Sequence, residues 1–294
     1  MNIALTGATG SIGKDLKPFL ESLGHSIISI SSSLPANGQS IFSYKDLISK
    51  KISCKVDVFI HLASLNSNLE KKDIDKEVEL TRVILNAMQS LDCSKLIFFS
   101  TAKIYGDNAF SNICFSESSV VNPACPYSEA KKICEDLIKL KSVELNLDST
   151  ILRLPPVLGQ ADASNLGKLI RLAKSGAYIP TFSCGNTNSR SFISFTNIKE
   201  VIRILLEVQH PSKHNIYNLA DDHHISLNSL LRIYGDQRII VLPALVEKLI
   251  FKISFLQHIL LKLYGSFVIE NDKLKNDLGV KLCSSQQAAL LNKL

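Results

Sequence analysis

The amino-acid sequence predicts an α/β fold, a doubly wound parallel sheet with a smaller C-terminal lobe. Three observations carry that expectation. Short apolar runs of strand length recur through the first part of the chain, segments of helical period separate them, and a glycine-rich turn joins the first run to the first helix.

Residues 2–6 form the first run and lead through glycines into an amphipathic segment over 12–23. Residues 26–31, rich in isoleucine, predict a second strand. The run over 56–62 is apolar almost throughout, as expected of a strand covered on both faces. A helical period over 78–91 follows, then the run over 95–100 with Leu96-Ile97-Phe98-Phe99 at its heart. Pro126 opens a helix, where its missing N–H costs nothing, and the pattern continues to about residue 140. Residues 149–154 predict another strand. Strands and helices in this alternation imply parallel pairing through crossovers. Beyond Gly159 the regular alternation fades. Helices are expected over 166–175 and 198–208, a short strand over 216–219, and a further helix capped by Ser226. The expected division is 1–159 for the sheet domain, with segments near 195–220 returning to it, and 160–294 for most of a substrate-binding lobe.

Composition narrows the function classes. Of 294 residues, 46% are hydrophobic and 20% charged, a soluble globular balance. The net charge is +6, but the lysines are scattered rather than striped, so nucleic acid is not an expected partner. The seven cysteines are odd in number and none is spaced Cys-x-x-Cys. That argues against a disulfide framework or a metal site and for a reducing, cytoplasmic compartment. No basic leader precedes the first strand, so no signal peptide is expected. Residues 239–264 are strongly apolar, yet Pro243, Glu247, Lys248, Lys252, His258 and Lys262 interrupt them. One or two amphipathic helices are therefore expected rather than a membrane span, with a membrane-surface contact as the lesser reading.

The turn Thr6-Gly7-Ala8-Thr9-Gly10-Ser11-Ile12-Gly13 carries the first chemistry. Between a strand and a helix, Gly7 permits the tight turn, Gly10 lets backbone approach a pyrophosphate, and Gly13 lets helix and strand pack closely. The helix N-terminus then turns N–H groups toward phosphate charge. Gly7, Thr9, Gly10, Ser11, Ile12 and Gly13 are thus candidate dinucleotide contacts on a Rossmann-like fold. NAD calls for an acidic residue about 20 positions beyond the first glycine. That region reads Ser29-Ile30-Ser31-Ser32-Ser33, with no carboxylate to repel a 2′-phosphate and small hydroxyls such as that of Ser31 to bond it. The expected cofactor is NADP or NAD, leaning to NADP, although no arginine is present to hold the extra phosphate.

Phe98-Phe99-Ser100-Thr101-Ala102-Lys103-Ile104-Tyr105-Gly106 puts hydroxyls at the C-terminal end of a buried strand, the edge where ligands bind in open α/β sheets. Pro126-Tyr127-Ser128-Glu129-Ala130-Lys131 then separates a tyrosine and a lysine by one helical turn. A phenol with pKa near ~10 is a poor base at neutral pH. An ammonium beside it stabilises the phenolate and is expected to lower that pKa.

Together with Asp57-Val58-Phe59-Ile60-His61-Leu62-Ala63, Leu152-Arg153-Leu154-Pro155-Pro156-Val157-Leu158-Gly159, Ser189-Arg190-Ser191-Phe192-Ile193, Tyr217-Asn218-Leu219-Ala220 and Asn271-Asp272-Lys273-Leu274, these stretches resemble the extended short-chain dehydrogenase/reductase family, in its branch of nucleotide-sugar epimerases and 4-keto reductases. The resemblance covers nearly the whole chain. It implies Tyr127 as general acid/base, Lys131 as partner of the nicotinamide ribose and of the phenolate, and Thr101 as the hydroxyl that holds the reacting oxygen. It implies Ala63 along the cofactor ribose, and Pro155 to Val157 along the nicotinamide. Asn165, Leu166 and Arg190 match positions that grip a nucleotide diphosphate, and Phe182 a position flanking uracil. It also implies a homodimer through the helices around Thr81 and Tyr127.

The chain departs from the family pattern at three places. Glu77, within Glu77-Val78-Glu79-Leu80-Thr81, stands where relatives often carry asparagine, which argues against the asparagine-linked proton relay. Ala102 and Lys103 follow Thr101 in place of the Asp-Glu pair of sugar 4,6-dehydratases, which argues against dehydration. The arginine that some relatives carry ahead of the C-terminal tail is not evident over 265–269. The leading expectation is an NAD(P)-dependent UDP-4-keto-sugar reductase. The alternative is a UDP-sugar 4-epimerase with bound NAD, and from another class a non-catalytic dinucleotide-sensing protein.

Overall fold

The computed structural model describes residues 1–31, 41–49, 52, 55–65, 69–111, 113–158, 165–208, 214–235 and 238–291. Ser32, Ser33, Cys54, Gly159 and the side chains of Asn165 and His258 lie outside the described residues. In chain order the first elements are β1 (Asn2–Thr6), α1 (Ser11–Ser22), β2 (Ser26–Ser31), β3 (Ile41–Ser43), α2 (Tyr44–Ile48), β4 (Val58–His61), α3 (Ile74–Ser90), β5 (Lys95–Thr101), β6 (Cys114–Phe115), α4 (Pro126–Glu144) and β7 (Asp148–Leu154). Then come α5 (Asn165–Lys174), β8 (Ile179–Thr181), α6 (Cys184–Thr187), α7 (Phe195–Glu207), β9 (His214–Asn218), α8 (Leu227–Gly235), β10 (Ile239–Val241), α9 (Ala244–Ile250), α10 (Ser254–Tyr264), β11 (Val268–Ile269), α11 (Asp272–Leu278) and α12 (Ser285–Leu291).

Seven strands form the main sheet in the order β3-β2-β1-β4-β5-β7-β9. From β3 to β7 every neighbouring pair is parallel. β1 lies between β2 and β4, so the chain winds outward on both sides of it. The C-terminal end of β1 is therefore the topological switch point, where open α/β sheets bind ligands. The sheet confirms the predicted fold class, with two refinements. α3 begins at Ile74, one turn ahead of the apolar pattern, because its first turn is polar. β3 and α2 are too short to show a period, yet Ser43 and Asp46 form a reciprocal capping box that starts α2.

The chain divides into two compact units. The first comprises Met1–Gly106, Val120–Leu154 and Lys199–Tyr217; its core packs Phe59, Ile84, Met88, Phe98, Ile138 and Ile151 around the sheet. The second comprises Asp107–Ser119, Pro155–Ile198 and Asn218–Leu294, with Phe182, Phe192, Leu230 and Tyr264 in its core. Residues 239–264 form the two short helices α9 and α10 after β10. Among the described residues no helix is long and apolar enough to cross a membrane.

Two contacts fix α4 on the sheet of the first unit. Glu135 accepts from Arg153 of β7, at 2.7 Å from Nη2, and from Ser100 Oγ of β5 at 2.5 Å. Arg153 Nη1 also donates to the Tyr105 hydroxyl at 2.8 Å. The Arg153 and Glu135 side chains are 5% and 3% exposed, so each charge depends on the other. Arg153→Met should leave the Glu135 carboxylate buried without a cation and cost about 3–5 kcal/mol. Urea unfolding reads this as a lower midpoint at an unchanged slope. A loss under ~1 kcal/mol, the range of exposed pairs, would show that water reaches this pair in solution.

Candidate active site

Thr101 ends β5 and caps the 3-10 turn Ala102–Tyr105, its Oγ1 accepting from Lys103 N at 3.3 Å. Tyr127 lies in the first turn of α4 and is half-buried. That turn is fixed by Pro126 and by Ser128, whose Oγ donates to the Cys125 carbonyl at 2.9 Å and accepts from Cys125 N at 3.2 Å. The Thr101 side chain lies close enough to the Tyr127 phenol to favour its ionised form. Lys131, four residues on, shares Tyr127's helix face. Its ammonium lies 3.0 Å from Glu77 Oε1 and 4.8 Å from the centroid of the Phe98 ring. Both side chains of this ion pair are 2% exposed. The second Glu77 oxygen accepts from Leu65 N at 2.8 Å, so the carboxylate ties α3, α4 and the segment after β4 together.

The electrostatics differ from the sequence expectation. Burial pushes the Tyr127 pKa up; Lys131 pulls it down, Glu77 pushes it up again and the Thr101 hydrogen bond pulls it down. The net direction is upward. Lys131 does act in the expected sense, but desolvation outweighs it, and Glu77 cancels part of its charge. Burial likewise disfavours the Lys131 ammonium, yet Glu77, Tyr127 and Cys134 hold its pKa above the usual lysine value. His61 at the end of β4 is buried, and desolvation and then Lys131 hold its pKa well below the usual value, so the ring is neutral. Its Nδ1 lies 2.7 Å from Thr6 Oγ1 and its Nε2 3.4 Å from Thr81 Oγ1. It is a satisfied structural residue that braces β1 against β4 and α3.

The glycine turn has the form a dinucleotide requires. Gly7 has φ +72° and a Cβ there would stand 2.8 Å from Ala63 N. A Cβ on Gly13 would fall on the Gly7 carbonyl oxygen and lie 2.6 Å from Ala8 Cα. Gly10 is the N-cap of α1, without a side chain to satisfy the helix's first N–H groups, and no acidic residue stands in the first turn. Thr9, Gly10 and Ser11 are exposed, and Ile12 is half-buried. Ser31 closes β2, and Ala63 donates its N–H to Thr6 Oγ1 at 3.2 Å. A backbone cradle with helix N–H groups free of side-chain caps fits a pyrophosphate. The residues present therefore fit a dinucleotide cofactor.

The other predicted residues belong to the second unit. Pro155 is buried, and Val157 bridges to Ile193. Asn165 and Leu166 open α5, Leu166 against the unit's core. Phe182 is 8% exposed and meets Phe251 and Tyr264 edge-on, at 5.8 and 5.2 Å between centroids. Arg190 is 8% exposed; its Nη1 donates to the carbonyls of Lys262 at 3.0 Å and Leu263 at 2.8 Å, at the end of α10. Burial pulls its pKa down to about 10. Among the described residues no three His, Cys, Asp or Glu side chains cluster to hold a metal ion.

What sequence reasoning missed is the function of Glu77. In the sequence Glu77 reads only as an acid where relatives often carry asparagine. Its signal was periodic: Glu77 lies on the same buried stripe of α3 as Thr81, Ile84, Leu85 and Met88. An acid on an apolar stripe announces a buried cation. Glu77→Gln should strand the Lys131 ammonium and cost about 3–5 kcal/mol near neutral pH. In the wild type Lys131's pKa is higher folded than unfolded, so its contribution is complete below the unfolded value and is lost as pH rises through the folded one. In Glu77→Gln, burial is opposed only by the weaker pull of Tyr127 and Cys134, the folded pKa drops below the unfolded one, and stability rises with pH toward about 10.4. Urea midpoints measured at a series of alkaline pH values should therefore converge for the two proteins; parallel curves would contradict this.

Residues 3–220 match the sequence profile of the NAD dependent epimerase/dehydratase family. Among curated proteins, the chain is similar to a dTDP-D-glucose 4,6-dehydratase of Dictyostelium discoideum, 26% identical over 58% of this chain and 43% of that one. It is also similar to a putative UDP-glucose 4-epimerase of Methanocaldococcus jannaschii, 27% identical over 54% of this chain and 56% of that one. The matched part thus spans about half the length of these curated relatives. Among solved structures, a UDP-N-acetylglucosamine 4-epimerase from Bacillus cereus superposes with a TM-score of 0.78 at 17% identity, over 100% of this chain and 98% of that one, a likeness of fold. Because the profile spans the sheet, the glycine turn and the Tyr127–Lys131 helix, the chain belongs to the NAD dependent epimerase/dehydratase family.

Proposed function

We propose that the protein is a nicotinamide-dinucleotide-dependent 4-epimerase acting on a nucleotide-linked sugar, a UDP-sugar by substrate class. One observation carries the reading: a phenol beside Thr101 stands one helical turn from a buried, charge-paired lysine, in the unit that also holds the glycine cradle. Relatives named as 4-epimerases support it. Dehydration is the weaker reading, because Ala102 and Lys103 supply no carboxyl group beside Thr101 for an elimination.

The backbone over Gly7 to Gly13 would hold the cofactor pyrophosphate, Ser31 its adenosine ribose, Ala63 and Lys131 its nicotinamide ribose, and Pro155 with Val157 the nicotinamide. When bound, that group supplies a reversible hydride acceptor. The protein's own residues manage the proton. As the phenolate that Lys131 favours, Tyr127 Oη takes it from the sugar C4 hydroxyl and, then a phenol, returns it to the same oxygen. Thr101 holds that oxygen by hydrogen bond, and Lys131 offsets the phenolate charge. Asn165, Leu166, Phe182 and Arg190 are assigned to the nucleotide of the substrate. The exposed Ile133, Leu140 and Val143 leave apolar surface on α4, which suits the helix-to-helix homodimer we assign. The cytoplasm is the compartment assigned.

A specific observation favours a second reading, 4-keto-sugar reduction with NADP. From Ser26 through Ser43 the chain carries no charged residue, so no carboxylate excludes a 2′-phosphate. Both readings predict that Tyr127→Phe loses turnover by about 10²–10⁴-fold while keeping dinucleotide affinity, measured by steady-state kinetics and by calorimetric titration. Near-normal turnover would overturn the assignment of Tyr127. Incubation with UDP-sugars and UDP-4-keto-sugars separates the two. Interconversion without net change at the nicotinamide absorbance supports epimerisation, and stoichiometric loss of NADPH supports reduction. Neither outcome with any sugar nucleotide would favour a non-catalytic dinucleotide sensor.

A further inference from the structure

The segment after β10 in the second unit presents an apolar face with one sign of charge. No residue of α9 is buried. Leu245 is 70% exposed, Leu249 58% and Ile253 51%. Leu245 and Leu249 are one turn apart and share a face. Phe110, 53% exposed, extends the surface, its ring 5.3 Å from that of Phe251 at the end of α9. Apolar exposure of this density on a helix is unusual in a soluble chain and marks an interaction surface.

The charges are sorted. Glu247, the acid of α9, is turned inward: it accepts from Ser183 N at 3.0 Å, from Ser183 Oγ, and from Cys184 N at 3.4 Å. Those bonds pin the helix to the turn ahead of α6 and remove the negative charge from the outer face. Lys248, Lys252 and Lys262 are exposed, and among the described residues none forms an ion pair. The outer face therefore combines leucines and an exposed phenylalanine with unneutralised lysines.

We propose that this face docks on an anionic lipid surface, with Leu245, Leu249, Ile253 and Phe110 entering the headgroup boundary and Lys248 and Lys252 meeting lipid phosphates. Apolar side chains flanked by lysines are the composition by which peripheral helices lie in the interface plane. A second copy of this chain fits less well. A two-fold contact centred on the face would set its lysines against their own counterparts. The two helices are also too short to span, so the contact is peripheral.

The test is flotation of the purified full-length chain with vesicles. The expected result is co-flotation with mixed phosphatidylglycerol–phosphatidylcholine vesicles, none with phosphatidylcholine alone, and release by high salt. Leu245→Ser with Leu249→Ser, and separately Lys248→Glu with Lys252→Glu, should each weaken vesicle binding at least tenfold while leaving the circular dichroism spectrum and dinucleotide binding unchanged. Absence of co-flotation, or equal binding by wild type and both variants, overturns the proposal. So does a sedimentation shift from dimer to monomer in the leucine variant without any vesicle binding by the wild type, which would assign the face to a second copy.

Discussion

An ammonium only 2% exposed is tolerable in this fold because Glu77 stands 3.0 Å from it. Taking both ions out of water costs several kcal/mol each, and the attraction repays this only when geometry is fixed and the remaining lone pairs are bonded. The structure meets both conditions. One Glu77 oxygen takes the Lys131 ammonium and the other takes Leu65 N. The Phe98 ring closes a further side. Because the pair bridges α3 and α4, any slide of one helix along the other would separate buried charges. One turn along α4, Glu135 repeats the device against Arg153 of β7. The helix that carries Tyr127 is thus held by charge at successive turns, once to its neighbouring helix and once to the sheet. Tyr127, in the first turn of the same helix, inherits that precision.

The same pairing sets the acidity of the phenol. A lysine alone would favour the phenolate. A lysine neutralised by a carboxylate does so less, and burial works against the anion throughout. Burial therefore holds the Tyr127 pKa up, with Lys131 first and Thr101 second as the counterweights. Glu77 in place of an amide is thus an electrostatic choice as well as a structural one. It fixes Lys131 as a cation over a wide pH range while moderating that cation's pull on its neighbour.

The parts of this fold that were legible in the sequence are those whose cause is local. Gly7 and Gly13 follow a strand and precede a helix, and the clashes that a Cβ would meet there come from residues nearby in the turn and from the next strand over. The helical spacing of Tyr127 and Lys131 places them on one face whatever surrounds them. Thr101 was legible because a strand end in a parallel sheet has a predictable neighbourhood. Glu77 was visible as an irregularity but not as a partner, because the pairing joins α3 to α4 across 54 positions of the chain. The same limit hid the surroundings of Arg190 and Phe182. Their motif does not say that Arg190 donates to the end of α10, or that Phe182 is enclosed by Phe251 and Tyr264. The acidity expected of Tyr127 failed for a related reason: a one-turn spacing gives the attraction but not the desolvation that opposes it.

The arrangement bears on whether the fold binds a dinucleotide for chemistry or merely as a signal. Binding alone needs the glycine cradle and the start of α1, both on the β1 side of the sheet. It has no use for a phenol set beside a strand-end hydroxyl, nor for an ammonium buried one turn away at a cost in desolvation. A stabilising role for the pair does not supply the missing use, since a buried ion pair is commonly matched or bettered by apolar residues of similar volume. Apolar replacements at residues 77 and 131 would have knit α3 to α4 as well, and without leaving Tyr127 next to a charge. What such replacements could not do is hold a permanent cation one turn from a phenol whose proton affinity is otherwise raised by burial. That combination has a physical purpose only where the phenol's proton must move.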